Sequence, residues 1–199
     1  MRLTSVRAGS GASLLLWAAL VLGGCSPAKP QFEGVDITGA DYAKDFHLTD
    51  VAGKPRSLAD YRGQVVVLFF GYTQCPDVCP TTMAELHSVM RILGPDADRV
   101  QVLFVTLDPA RDTPALLAQY VPGFDPRFVG LYGDDAITAQ TAKDFKVFYQ
   151  RVPGPTATSY TLDHTAGSYV FDPQGRIRLF LRQGEPVASV AHDLKILLS

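Results

Sequence analysis

The stretch VVVLFFGYTQCPDVCPTT, residues 65–82, decides how the rest of the chain folds. Its first six residues are all apolar, and all but one leucine are β-branched or aromatic, which is typical of a strand buried on both faces. A short loop with Cys75 and Cys79 follows, and Pro80 stands where a helix can begin. The stretch therefore predicts a central strand that delivers two thiols to the start of a helix.

Strand-like and helix-like segments alternate along the rest of the chain. The strand-like segments lie at residues 99–108, 127–133, 166–172 and 176–182, and the helix-like segments at residues 80–93, 112–121 and 187–199. Residues 134–150 are predicted as a helix that runs into an extended segment, and residues 152–163 as a loop or hairpin. A further hairpin is predicted at residues 46–64. This order predicts an α/β domain with a mixed central sheet flanked by helices and an N-terminal hairpin extension. The arrangement is compatible with the thioredoxin-like fold.

Composition limits the classes of partner. The chain has 199 residues, 47% of them hydrophobic, which suits one domain with a sizeable core. The net charge is −2 at pH 7, so nothing favours nucleic acid as a partner. Three cysteines are too few for a disulfide scaffold, and each is therefore considered separately.

The N-terminus has the pattern of a targeting segment. Two arginines precede an apolar run that is too short for a membrane-spanning helix, and the letters LGGC resemble a bacterial lipobox. We therefore expect a lipoprotein signal peptide at residues 1–24, a lipid on Cys25, a flexible tether over residues 25–44 and the folded domain over residues 45–199. Ordinary cleavage and an uncleaved signal anchor are the alternatives. In each case the domain is exported, on the periplasmic or extracytoplasmic side of the cell membrane.

The pair Cys75 and Cys79 has three interpretations. A structural disulfide within one turn would close almost no chain and would add little stability. A redox couple is the second interpretation, although thiol oxidoreductases usually have two residues between their cysteines rather than three. Half of a metal site is the third, because two thiolates can reach one ion. A position at a helix N-terminus predicts a lowered thiol pKa, which suits either of the last two.

A third metal ligand has to come from elsewhere in the chain. His47, His87 and His192 are expected on solvated or packed surfaces. His164 differs because it precedes a predicted strand, where a thioredoxin-like fold would bring it opposite the cysteine pair. Thiolates and imidazole together suit copper. The neighbouring Asp163 could orient the imidazole, or it could be a simple turn residue.

Three blocks of sequence together resemble the Sco/SenC family of thioredoxin-like copper proteins. They are FFGYTQCPDVCPTTMAEL at residues 69–86, TLDPARDTP at residues 106–114 and YTLDHTAGSYVFDPQGR at residues 160–176. The resemblance implies that Cys75, Cys79 and His164 bind one copper ion, as Cu(I) or Cu(II). Asp77 and Asp108 also fall on family motif positions, and neither is assigned a ligand role.

The resemblance also implies a function and partners. Family members serve assembly of the CuA centre of cytochrome c oxidase, by delivering copper, by reducing the cysteines of the target subunit, or both. A membrane-tethered metallochaperone is therefore expected, with the copper-containing oxidase subunit, a copper donor and a thiol reductant as protein partners. Here the lipid anchor on Cys25 would replace a transmembrane helix.

The alternative function is that of a thiol–disulfide oxidoreductase, in which Cys75 and Cys79 are the redox pair and form a disulfide when oxidised. Enzymes of that class place a proline opposite their cysteines. No proline lies between Leu162 and Asp172, and His164 stands there instead, which favours metal binding. A peroxidase is less favoured, because Thr73 precedes Cys75 without the accompanying proline and arginine.

Overall fold

The computed structural model describes residues 2–4, 31–156 and 159–199. Cys25 and all of the expected signal peptide except residues 2–4 lie outside the described residues. Within the described part of the chain, no helix is both long and apolar enough to cross a membrane.

The described residues form ten strands in two sheets. The strands are β1 (Val35–Asp36), β2 (Leu48–Asp50), β3 (Pro55–Arg56), β4 (Val65–Gly71), β5 (Val100–Thr106), β6 (Val129–Tyr132), β7 (Tyr149–Pro153), β8 (Tyr160–His164), β9 (Gly167–Phe171) and β10 (Ile177–Arg182). The main sheet has the order β1-β10-β9-β4-β5-β6-β2-β3, and β7 pairs with β8 alone. Strands β4, β5 and β6 are parallel, and β9 runs antiparallel to β4.

Four α-helices accompany these strands: α1 (Val78–Leu93), α2 (Pro114–Tyr120), α3 (Asp135–Asp144) and α4 (Val187–Leu198). Short 3₁₀ helices occupy Leu58–Tyr61 and Gly94–Arg99. Helix α1 starts two residues earlier than its proline predicted, which brings Cys79 into its first turn. Helix α2 begins at Pro114, two residues inside the predicted segment, because the proline fixes the first turn and the hydroxyl of Thr113 accepts a hydrogen bond from the N–H of Leu116.

The central strand is buried on both faces, as its composition predicts. All seven residues of β4 are buried between β5 and β9. Fully burying a side chain such as Val, Leu or Phe contributes about 1.5–3 kcal/mol, so this strand is a large part of the core. The mixed α/β sheet flanked by helices is therefore confirmed, as is the N-terminal hairpin, which β2 and β3 form.

The start of the folded domain is earlier than expected. Residues 31–44 were predicted as part of a flexible tether, yet Val35 pairs with Phe180 in β10. The buried carboxylate of Asp193 also accepts hydrogen bonds from the backbone N–H groups of Glu33 and Gly34. The predicted boundary at residue 45 is therefore wrong. The segment is held by contacts with residues far along the chain, and it is too short to show the periodic pattern of apolar residues that would have revealed a strand.

Candidate metal centre

Three side chains from two distant parts of the chain converge at the end of β4. The Sγ atoms of Cys75 and Cys79 and a ring nitrogen of His164 all lie within 4.8 Å of one another. The closest pair is the Sγ of Cys79 and the Nε2 of His164, at 3.5 Å. The sequence predicted this juxtaposition, and a single metal ion could accept all three atoms as ligands.

The two cysteines differ in burial. Cys75 lies in the turn before α1 and is half-buried, whereas Cys79 is 0% exposed. The backbone N–H of Cys79 points at the Sγ of Cys75, 3.4 Å away, and the N–H of Cys75 bonds the carbonyl of Tyr72 at 3.3 Å. Both thiols are free. Solvent or a partner can therefore reach the first sulfur but not the second.

Gly71 makes room for the buried sulfur. A Cβ at this position would lie 2.9 Å from the Sγ of Cys79 and 2.9 Å from the ring of Phe69. Both distances are well inside ordinary van der Waals contact, so only glycine fits without a shift of the sulfur. The sequence analysis did not single out this residue, although the glycine at the end of an otherwise bulky strand was a visible signal.

A buried carboxylate fixes the loop that leads to the cysteines. Asp112 accepts hydrogen bonds from the N–H of Thr73 at 3.0 Å, the hydroxyl of Thr73 at 2.6 Å and the hydroxyl of Thr106 at 2.6 Å. Burial raises the pKa of Asp112 despite these three bonds. Of the two residues that the sequence offers as the cap of α2, Asp112 and Thr113, Thr113 is the cap, and Asp112 anchors the loop.

The imidazole of His164 is oriented by its own backbone neighbour. Its Nδ1 lies 3.0 Å from the carbonyl oxygen of Thr165, which can only accept, so Nδ1 carries the proton and donates. The lone pair is then on Nε2, which points toward Cys79. The rings of Phe69 and Tyr72 meet the imidazole edge-on, with centroids 6.2 and 6.0 Å away. The ring is therefore held in the tautomer that a metal ligand requires.

Two expectations about this site need correction. Burial raises the pKa of the Cys79 thiol, so the lowering expected from the helix N-terminus is not found there, because desolvation of the charged form outweighs the helix dipole. Asp163 is exposed, and the hydrogen-bond partner of the imidazole is Thr165 instead. Burial lowers the pKa of His164, with the Thr165 hydrogen bond and the Asp163 charge opposing it, so the ring is neutral at pH 7.

The other histidines lie away from the cysteine pair. His47 and His192 are exposed, and the Nδ1 of His192 lies 3.0 Å from Asp193. His87 pairs with the buried carboxylate of Asp125 at 3.2 Å. Among the described residues, the cysteine pair with His164 is the only cluster of potential metal ligands.

The family-motif aspartates have different surroundings. Asp77 is exposed at the start of α1, where its Oδ1 accepts a bond from Thr81 at 3.4 Å. Asp108 is 1% exposed, forms a salt bridge with Arg111 and accepts a bond from the hydroxyl of Tyr160 at 2.7 Å. Asp108 therefore holds the loop after β5 against the first residue of β8.

The donor set indicates which metal the site suits. Two sulfurs and one neutral imidazole form a soft, three-ligand set, which suits Cu(I), whereas a structural zinc site takes four ligands. The site opens to solvent through a cleft between the cysteine loop and β8, lined among others by Pro76, Val78 and Thr161. An ion held here would be accessible from one side.

Comparison with known proteins identifies the family. The SCO1/SenC family pattern matches residues 35–199. The chain belongs to the SCO1/SenC family. The match begins at β1, in agreement with the structural start of the domain.

Individual SCO1/SenC relatives support the same assignment. ScoI of Bradyrhizobium japonicum, solved with copper bound, is 41% identical with a TM-score of 0.71, covering 77% of this chain and 98% of that one. Apo Sco1 of Thermus thermophilus is 38% identical with a TM-score of 0.76, covering 86% and 99%. The thioredoxin-like fold expected from the sequence is thus confirmed.

Curated relatives extend beyond the shared region. The mitochondrial SCO2 homolog of Mus musculus is 41% identical over 133 residues, which is 66% of this chain and 52% of that protein. The chain spans about half the length of the curated relatives of this kind that it matches.

Proposed function

We propose that this SCO1/SenC member is an exported copper metallochaperone that holds one copper ion through Cys75, Cys79 and His164 and serves maturation of the CuA centre of cytochrome c oxidase. The observation that carries the proposal is the convergence of two sulfurs and an Nε2 lone pair within 4.8 Å, in a cleft open to solvent. The copper-bound relative from Bradyrhizobium japonicum supports it.

The unequal burial of the sulfurs suggests an order for copper transfer. A recipient ligand approaches through the cleft, where Cys75 and His164 are half-buried and Cys79 is inaccessible. The incoming ligand therefore displaces Cys75 and His164 first, and the bond between copper and the buried sulfur of Cys79 breaks last. Release is complete when Cys79 regains a proton, which burial favours.

His164→Ala tests this proposal against a purely redox role. We expect the variant to lose more than about 100-fold in Cu(I) affinity, since even outer partners of metal ligands change affinity by about 10–100-fold. It should also fail to load the apo oxidase subunit. Reduction of a disulfide by the cysteine pair should survive. His47→Ala is the matched control, because that ring is exposed, precedes β2 and is not part of the Cys75, Cys79 and His164 cluster. Unchanged affinity in His164→Ala would contradict the proposal.

A second candidate function is reduction of cysteines on the oxidase subunit. The observation that favours it is an accessible thiol, Cys75, beside a buried second thiol, Cys79, with both free. The accessible thiolate attacks a sulfur of the target disulfide, forms a mixed disulfide and releases the first target thiol. The buried sulfur then attacks the sulfur of Cys75, closing the Cys75–Cys79 disulfide and releasing the second target thiol. If His164→Ala, with its copper affinity lost, still supports maturation of the oxidase subunit as well as wild type does, reduction rather than copper delivery would be the main role.

Lipid attachment at Cys25 is the remaining part of the proposal. It rests on the LGGC sequence, and it would anchor the domain to the cell membrane on the extracytoplasmic side. Cys25→Ala should move the protein to the soluble exported fraction without changing copper affinity. Retention of the variant at the membrane would reject a lipid anchor.

A further inference from the structure

We propose that Arg111 is a positioning residue that ties the cysteine loop to the hairpin carrying His164 and so sets the distance between the thiols and the imidazole. This inference rests on the ligand set of the proposed function. The hydrogen bonds of Arg111 go to Gln74, Asp108 and Tyr160 rather than to the sulfurs or the imidazole, so the residue acts on the site by holding its segments in place.

The guanidinium of Arg111 bonds both ligand-bearing segments. Its Nη1 donates to the side-chain oxygen of Gln74 at 3.1 Å and to the backbone carbonyl of Tyr160 at 2.8 Å. Gln74 immediately precedes Cys75, and Tyr160 is the first residue of β8, the strand that ends at His164. One rigid group thus spans the gap between the two halves of the site.

A buried carboxylate holds the guanidinium in place. The Nε of Arg111 forms a salt bridge with Asp108, which is 1% exposed. The other oxygen of Asp108 accepts the hydroxyl of Tyr160 at 2.7 Å, and the guanidinium stacks on the ring of Tyr160 at 3.5 Å from its centroid. Asp108 itself is fixed because its N–H donates to the hydroxyl of Thr106 in β5. The hairpin is therefore fastened to the central sheet through side chains.

The hairpin needs such a fastening because β7 and β8 form their own two-stranded sheet, apart from the main one. A lone two-stranded hairpin is marginally stable in water. The direction in which His164 points is therefore governed by what the hairpin packs against. Lysine cannot replace the arginine, because a single ammonium cannot reproduce a planar fork that bonds several acceptors and stacks on a ring.

The first test compares Arg111→Lys with Arg151→Lys by Cu(I) competition titration. Arg151 stacks on the same Tyr160 ring, 4.7 Å from its centroid, but it lies on β7 and cannot link the hairpin to the cysteine loop. We expect Arg111→Lys to weaken copper affinity about 10-fold, as for other outer partners of metal ligands. Arg151→Lys should leave affinity unchanged. Equal effects of the two variants would overturn the proposal.

The second test separates positioning from general stability. In a His164→Ala background, Arg111→Lys should weaken affinity no further, because the residue acts through the imidazole. A loss of the same size in both backgrounds would overturn the proposal while leaving His164 as a ligand. If His164→Ala alone leaves affinity unchanged, the ligand set of the proposed function is wrong and the positioning role falls with it.

A third measurement needs no copper and uses a milder substitution. Tyr160→Phe removes only the hydroxyl that bonds Asp108 and keeps the ring that stacks on Arg111. In the apo protein, backbone amides of residues 160–164 should exchange with solvent faster in Tyr160→Phe and Arg111→Lys, while amides of β4 keep their wild-type rates. Unchanged exchange in this strand in both variants would show that the hairpin is held by other contacts and would overturn the proposal.

Discussion

The Sγ of Cys79 lies 3.5 Å from the Nε2 of His164, although 85 positions of sequence separate the two residues. Neither side chain can reach the other until β4, α1 and the β7–β8 hairpin have assembled. The site is therefore a product of the complete fold, and residues that fix these elements act on metal binding from a distance.

Gly71→Ala should disturb the buried sulfur directly. The new Cβ would lie 2.9 Å from the Sγ of Cys79, and overpacking of this kind costs about 1–3 kcal/mol of the free energy of unfolding. We also expect weaker copper affinity, because the sulfur must shift away from the imidazole. Denaturant unfolding and Cu(I) titration measure the two effects.

Gly130→Ala is the matched control for this substitution. Gly130 lies in β6, and an added Cβ would come no closer than 3.3 Å to a neighbouring side chain. It should therefore change copper affinity very little. A Gly71→Ala protein that binds copper like wild type would show that the sulfur has more room than the structure indicates.

Asp112→Asn should loosen the cysteine loop. An amide presents a donor where the carboxylate accepted the N–H and hydroxyl of Thr73 and the hydroxyl of Thr106, so at least one buried donor loses its partner. Burial raises the pKa of Asp112, so removing its charge offsets part of the loss. We expect a net destabilisation of about 1–2 kcal/mol. Asp134→Asn, at an exposed helix N-cap where asparagine serves equally well, should be close to neutral.

Copper affinity should rise with pH. Burial raises the pKa of the Cys79 thiol, so this sulfur carries a proton in the apo protein at pH 7, and binding as thiolate must release it. Burial lowers the pKa of His164, so the imidazole is already neutral at pH 7. It therefore releases no proton when copper binds, except at a pH below its lowered pKa. Affinity should increase about tenfold per pH unit for each proton released, between about pH 6.5 and 8.5. A flat profile in Cu(I) competition titrations would contradict thiolate ligation by Cys79.

The two thiols should differ in reactivity toward an alkylating reagent. Cys75 is half-buried, whereas Cys79 is 0% exposed and its pKa is raised by burial. The Cys79→Ser variant should therefore react at least about 10-fold faster than the Cys75→Ser variant, because reactivity follows exposure and thiolate content. Both variants should react alike in denaturant. Equal alkylation rates of the two folded variants would show that both thiols are equally accessible and would contradict the proposed order of copper transfer.

Much of the fold was predictable because its signals are local. The apolar run at residues 65–70 specified the buried central strand, and Pro80 located the start of α1 to within two residues. The approach of His164 to the cysteine pair was predictable from the expected thioredoxin-like fold, which brings the segment before β9 opposite the cysteine loop.

The remainder depends on contacts that no short stretch of sequence contains. Burial of Cys79 reverses the pKa shift that its place at a helix N-terminus suggests. The pairing of Val35 with β10 and the bonds from Arg111 to two distant segments are likewise long-range. Such contacts become visible only once the elements are assembled.

X-ray absorption of the Cu(I)-loaded protein tests the central claim most directly, because it reports the atoms bonded to the metal. We expect two sulfur ligands and one nitrogen ligand per copper ion in the wild type, with the nitrogen lost in His164→Ala and both sulfurs retained. A wild-type spectrum with sulfur ligands alone, or one that His164→Ala leaves unchanged, would contradict the three-ligand site.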